Sequence, residues 1–229
     1  MLGMRFAKYV RSPIAHGKVK RIDISKALAY PGVDAIFTYE DVPDFIFPTA
    51  GHAHSLDPNK LDVADKRLLT SHVRHQGDGV AIVVARDQLT AERAVELVEV
   101  DYEELPVMTT AAQALAEGAY PLHPGGNLLK QHSIVTGDID QAFSESDVVL
   151  EGAYHTPIHQ HCHMETVVSY AYMEKDDHII IVSSTQIPHI VRRVVAISLG
   201  IPWSHVRVIK PYLGGGFGCK QDVLEEPMC

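Results

Sequence analysis

Cysteine is nearly absent from this 229-residue chain, and the three it has, Cys162, Cys219 and Cys229, stand far apart. That scarcity excludes a disulfide framework and a CxxC metal site and fits a reducing compartment. It also argues against an iron–sulfur cluster ligated by this chain alone. No apolar run is long enough to span a bilayer, and Met1-Leu2-Gly3-Met4-Arg5 has no signal-peptide pattern, so a cytoplasmic location is expected. Blocks of Lys and Arg are missing too. With a formal charge of −9 and a pI near 5.8, the chain is a poor match for nucleic acid or an anionic membrane. Internal repeats and low-complexity segments are not evident.

What is present is a mixed pattern of strands and helices. Alternation over 5–10 predicts a half-buried strand, and Ser12-Pro13 with Gly17 makes 11–17 a turn. A second strand is expected over 18–24, and Ser25 is placed to cap a short helix over 26–30 that Pro31-Gly32 stops. A third strand follows at 33–38. Residues 43–66, rich in Pro, Asp, Gly and His, read as a long surface loop. The continuous apolar run 80–85 is the pattern of a fully buried strand. An amphipathic helix over 90–98 and a strand over 98–102 complete the unit, which Leu105-Pro106 ends.

Residues 107–136 hold a helix candidate at 111–117 and then Pro121, Pro124, Gly125 and Gly126, the composition of a connecting segment. Strand character rises from Gly137: 147–155, then a hairpin of 167–173 with 179–183. A helix over 186–199 has Pro188 in its first turn and Gly200 at its stop. The fold class is therefore α+β, in three parts: 1–106, 107–136 and 137–229.

Near the end of the chain stands Leu213-Gly214-Gly215-Gly216-Phe217-Gly218-Cys219-Lys220. Consecutive glycines remove the Cβ atoms that would keep backbone N–H groups from converging on an anion or a polar cofactor edge. Phe217 within the run is suited to wall off a site. Cys219 stands where a dinucleotide fingerprint has its third glycine, and the Lys-Ser/Thr pair of a P-loop is lacking, so neither NAD nor a nucleoside triphosphate fits. A plain tight turn is the competing reading. Gln186, at the mouth of the helix after Ser184-Thr185, is positioned to reach a ligand held by this loop, while Thr185 reads as an N-cap.

The second motif is His159-Gln160-His161-Cys162-His163-Met164-Glu165. If extended, it points His159, His161, His163 and Glu165 to one face, a donor set for zinc or another divalent metal in a hydrolase. The other reading is a polar strand face lining a cleft. Gln160, on the opposite face, has an amide that can donate to a ligand.

Taken in order, several stretches resemble the molybdenum-binding subunits of the xanthine oxidase and aldehyde oxidase family, bacterial xanthine dehydrogenases in particular. They include Arg11-Ser12-Pro13-Ile14-Ala15-His16-Gly17, Val73-Arg74-His75-Gln76-Gly77, Gly125-Gly126-Asn127, Met164-Glu165, Ser184-Thr185-Gln186 and the Gly214–Gly218 run with Lys220. The resemblance implies an α/β hammerhead domain over 1–106, a connection over 107–136 and the first part of a molybdopterin-binding domain over 137–229. It implies a molybdopterin cofactor, as the cytosine dinucleotide or a related form, held by Gly215, Gly216, Phe217 and Gly218 with Gln186 and Gln160. FAD and 2Fe–2S clusters are implied on partner subunits. The implied chemistry is hydroxylation of a purine such as xanthine or hypoxanthine, of a related heterocycle or of an aldehyde, with water as the oxygen source.

The family pattern is departed from in three ways. His159 stands where many members have a Gln near the apical molybdenum oxo, with Gln160 one residue off. Gln221 follows the loop Lys where purine-oxidising members often have Glu, which makes it the candidate substrate contact. The chain is also shorter than family subunits, whose catalytic Glu lies near their far end, so no catalytic residue is assigned. An N-terminal fragment, inactive alone and needing the remainder of the subunit, is expected; a non-catalytic truncated product or a His-strand metal hydrolase are the alternatives.

Overall fold

The computed structural model of the chain describes residues 3–49, 55–57 and 62–229. Part of the loop expected over 43–66 therefore lies outside the described residues.

The N-terminal part is built on two three-stranded sheets. In the first, β5 (Gly79–Ala85) is central, flanked antiparallel by β1 (Phe6–Arg11) and β3 (Val33–Thr38). In the second, β2 (Gly17–Asp23) lies between β4 (His72–Val73) and β6 (Glu99–Glu104). The apolar run is buried as its composition requires: Val80, Ala81, Ile82, Val83 and Ala85 are all in the core. Helix α2 (Gln88–Val95) lays Ala91 and Ala94 on this sheet. It begins earlier than the apolar spacing suggests because Asp87 caps it, accepting from Thr90 N at 2.8 Å. In the short helix α1 (Ser25–Leu28), Ser25 is not the cap. Its N and Oγ both donate to Asp23 Oδ1, at 3.0 and 2.6 Å, so Asp23 fixes the turn into the helix.

The chain then crosses a segment held at its near end. Helix α3 (Ala111–Leu115) is capped by Thr110. Asn127 accepts from Leu122 N and donates to Ala114 O and Tyr120 O, and Arg74 Nε donates to Leu122 O at 2.8 Å. Every residue of 128–162 is exposed, with the short helix α4 (Ile139–Ser144) as the only regular element there. The strand expected over 147–155 does not form. A strand needs a neighbour for its N–H and C=O groups, and none of the described residues offers one.

The C-terminal part is a sheet of β7 (Ser169–Met173), β8 (Ile179–Ser183) and β9 (Val206–Ile209), covered by α5 (Pro188–Leu199). The β7–β8 hairpin is antiparallel, and β8–α5–β9 is a parallel pair joined through a helix. Pro188 opens α5, and Gly200 closes it in the left-handed conformation (φ 68°). Ile181, Val191, Val194, Val195 and Val206 form the core here, each fully buried branched side chain contributing about 1.5–3 kcal/mol. Phe47 and Leu68 from the N-terminal part belong to this same cluster. Asp62 pairs with Arg193 of α5 at 2.9 Å. Phe47, Asp62 and Leu68 are thus tied to the second core, so the residues expected as surface loop do not all lie at the surface.

Candidate functional site

The parallel β8–α5–β9 unit brings the end of β8, the start of α5 and the loop after β9 to one place. At the end of β8 the chain turns through Ser184, Thr185 and Gln186. Thr185 is buried, accepts from Ile187 N at 3.1 Å and donates to Lys220 O at 3.4 Å. This is a capping turn shared with the glycine loop, since Gln186 N also donates to Lys220 O at 2.9 Å.

The loop 214–220 is held at both ends by one carboxylate. Glu165 Oε2 accepts from Lys220 Nζ at 2.6 Å, Ser184 Oγ at 2.6 Å and Gly214 N at 2.9 Å. Glu165 N in turn donates to Gly214 O at 3.2 Å. The Lys220 side chain has no solvent exposure at all, so its charge is met inside the protein. The hydrogen bond from Lys220, then those from Ser184 and Gly214, lower the Glu165 pKa to about 2.

Between these ends Gln186 holds the middle. Its Oε1 accepts from Gly218 N at 3.2 Å, and a Cβ built on Gly216 would stand 2.4 Å from the same oxygen. Gly215 and Gly218 take φ of 97° and 92°, which suits glycine. Phe217 takes φ 49°, a left-handed conformation costing a non-glycine residue about 1–3 kcal/mol. Its ring is 77% exposed, so core packing does not compensate this strain. Cys219 N and Gln221 N close tight turns onto Gly216 O and Gly218 O. The N–H groups of Gly215, Gly216 and Phe217 have no acceptor among the described residues.

Of the residues expected from the sequence, Gly215, Gly216, Phe217, Gly218 and Gln186 are brought together. Gln221 sits beside them, exposed, at the end of the short turn Cys219–Gln221. Gln160 does not join them: it lies in the exposed, irregular stretch 145–162. The histidine motif is not a strand. Cys162 breaks it with a left-handed φ of 50°, and His163 Nδ1 turns back onto Glu165 O. No group of three His, Cys, Asp or Glu among the described residues is placed to hold a metal ion, which corrects the hydrolase alternative. The residues missed from the sequence are Glu165 as an anchor, Ser184 and Lys220. The charges of Glu165 and Lys220 were visible, but the two stand 55 residues apart, and no local pattern couples them.

Residues 1–106 match the family described as aldehyde oxidase and xanthine dehydrogenase, a/b hammerhead domain, and residues 122–229 match the molybdopterin cofactor-binding domain. Over 228 residues the chain is 64% identical to the xanthine dehydrogenase molybdenum-binding subunit of Escherichia coli, covering 100% of this chain and 30% of that protein. The structure of the aldehyde oxidoreductase from Desulfovibrio gigas superposes with a TM-score of 0.88 at 31% identity, over 100% of this chain and 25% of that one. Quinoline 2-oxidoreductase from Pseudomonas putida superposes at 0.83 with 32% identity, over 96% and 28%. The chain thus spans under a third of each of these relatives.

Proposed function

This chain belongs to the aldehyde oxidase and xanthine dehydrogenase family, with its α/β hammerhead and molybdopterin-binding folds, and on that premise we propose that it serves a molybdenum hydroxylase acting on a purine. Xanthine or hypoxanthine is the proposed substrate, on the strength of the xanthine dehydrogenase relative. The carrying observation is the glycine loop. Three successive N–H groups, Gly215 to Phe217, lack acceptors among the described residues, on a loop whose ends and middle are fixed by Glu165 and Gln186.

Such a loop suits a polar, anionic cofactor. Glycine at 214 and 216 lets the backbone pack onto Glu165 and Gln186, where a Cβ would stand 2.5 Å and 2.4 Å from those side chains, and the free N–H groups supply donors without added charge. Gly215, Gly216, Phe217, Gly218 and Gln186 would hold the molybdenum cofactor, proposed as the pyranopterin cytosine dinucleotide. When bound, that group supplies two-electron oxidation and delivery of a water-derived oxygen to the substrate carbon. Phe217, strained and exposed, shields one side of the site from water. Gln221 offers an amide that hydrogen-bonds a purine without adding charge. Glu165 is not the proton acceptor: three donors occupy it and its pKa is far below that of a useful base. Partner subunits carrying 2Fe–2S and FAD centres would take up the electrons, and a cytoplasmic assembly is proposed, where the free Cys162, Cys219 and Cys229 would stay reduced.

The test is to purify the natural assembly that contains this chain. Molybdenum content is measured, and xanthine, hypoxanthine, aldehydes and quinoline are supplied in heavy-oxygen water. Label appearing in urate from xanthine supports the proposal. A molybdenum-free assembly would remove it, and turnover of aldehyde or quinoline alone would replace the purine by that substrate.

A further inference from the structure

We propose that Glu165 and Lys220 act together as a positioning pair that sets the cofactor loop, each without touching the reacting atoms. The inference rests on the reading of the loop as the molybdenum cofactor's cradle. Four observations carry it. The Lys220 side chain is wholly buried, and its ammonium meets Glu165 at 2.6 Å. The same Oε2 atom takes Gly214 N, so one oxygen spans the first and last residues of the loop. Ser184 Oγ brings the end of β8 to that oxygen. The Lys220 carbonyl then receives Gln186 N, and Gln186 Oε1 receives Gly218 N. The pair therefore reaches the loop's middle through Gln186, and a shift at Lys220 moves the residue that faces Gly216.

A buried ammonium and its carboxylate stand or fall as a unit, because removing one leaves the other's charge uncompensated. The side chain at position 220 is needed for its charge, since an apolar chain of similar length fills the same slot without binding Gly214's partner. This separates positioning from packing. If packing alone mattered, Lys220→Met would be tolerated and the bulkier Lys220→Arg would not. If the pair positions the loop, the order reverses.

The experiment uses the natural assembly with Lys220→Met, Lys220→Arg, Glu165→Gln and the double variant Glu165→Gln/Lys220→Met. Molybdenum per subunit is measured alongside circular dichroism. Acylation of Lys220 by an amine reagent, followed by mass spectrometry, is measured in wild type and Glu165→Gln. Positioning predicts that Lys220→Met and Glu165→Gln each lower molybdenum retention about tenfold, with the double variant no worse than either single, as coupled contacts require. Lys220→Arg keeps most of the metal, and Lys220 acylates about tenfold faster once Glu165 is neutral. Equal acylation in the two proteins, additive losses, or Lys220→Met retaining more metal than Lys220→Arg would overturn the pair. If wild type itself carries no molybdenum, the cofactor reading fails, and the acylation rates still decide whether the pair holds the loop. Ser184→Ala, which removes one donor and leaves the pair, serves if the charge variants do not fold: it should speed Lys220 acylation by a smaller factor, and no change would count against the pair.

Discussion

Gly216 lies directly against the side chain of Gln186: a Cβ added there would stand 2.4 Å from Oε1 and 3.0 Å from Cδ. The clash is with a protein amide, so a substitution acts first on Gln186 and only through it on a ligand. Gly216→Val is expected to push Gln186 off Gly218 N, which it now receives at 3.2 Å. Molybdenum content should fall in the assembled enzyme while far-UV circular dichroism is kept. Gln186→Ala introduced beside Gly216→Val relieves the crowding and should restore thermal stability but not molybdenum. Restoration of both would assign Gln186 no part in holding the cofactor.

The loop itself was legible because glycine spacing is a local signal, and much of the first hundred residues was legible because β5 is an unbroken apolar run and α2 carries a helical period. Residues 33–38 and 179–183 form strands over those very spans. Long-range pairing was not legible. Glu165 reads as the end of a histidine strand until Lys220 and Gly214 are folded onto it. The segment 147–155 has strand-like residues, yet a ladder partner is a property of the fold and not of the segment. Residues 43–66 looked like surface by composition, but Phe47 is buried in the second core, which composition averages away.

His16 and His72 form a relay whose tautomers are fixed by their neighbours. Arg74, always a donor, meets His72 Nδ1 at 3.2 Å, so His72 carries its proton on Nε2 and donates to His16 Nε2 at 3.1 Å. His16 then donates from Nδ1 to Pro106 O at 2.6 Å. Burial, then the Arg74 charge, lower the His72 pKa below 6.5; His16, Lys18 and His123 act the same way. The unfolded chain therefore binds the proton first as pH falls, and this contribution is whole above about 6.5 and lost below it. The melting temperature should drop from about pH 7.5 to about pH 5.5, and His72→Phe, which keeps a stacked ring, should flatten that slope. An unchanged slope in the variant would assign the pH dependence elsewhere.

Glu165 should confer resistance of the loop to acid. Its pKa falls from 4.5 to about 2, so its contribution is present above 4.5 and lost only as pH falls through about 2. The amides of Gly214 and Gly218, which donate to Glu165 Oε2 and Gln186 Oε1, should stay protected from hydrogen exchange at about pH 3.5, where an ordinary carboxylate is largely protonated. Exchange at Gly214 and Gly218 that rises already at about pH 4.5 would contradict this.

Arg193 of α5 and Asp62 form a pair in which the side chains are 8% and 7% exposed, at 2.9 Å. Removing one member of a buried pair costs up to about 3–5 kcal/mol. Arg193→Met should lower the denaturation midpoint clearly, and Arg193→Met/Asp62→Leu should recover part of the loss. Equal midpoints in wild type and Arg193→Met would show that the contact does not couple this segment to the second core.

The connection proposed over 107–136 divides physically at Asn127. Before it, the backbone is tied: Asn127 binds Leu122, Ala114 and Tyr120, and Arg74 binds Leu122 O. After it, residues 128–162 are exposed throughout, with Ile134 at 94% and Leu150 at 91%. Proteolytic nicking concentrates where the backbone is exposed and not hydrogen-bonded, so burial and hydrogen bonding decide the site, not loop composition. In the 229-residue chain the first cuts are expected within 128–137 or 145–160, and none within 107–127. Asn127→Ala should extend cleavage back toward Ala114 by removing three hydrogen bonds at once. Mass spectrometry of early fragments reads this directly. Cleavage beginning at 107–127 in the wild type would mean that Asn127 and Arg74 do not hold the segment, and early cuts inside Gly79–Val95 would remove the N-terminal unit as a folding body.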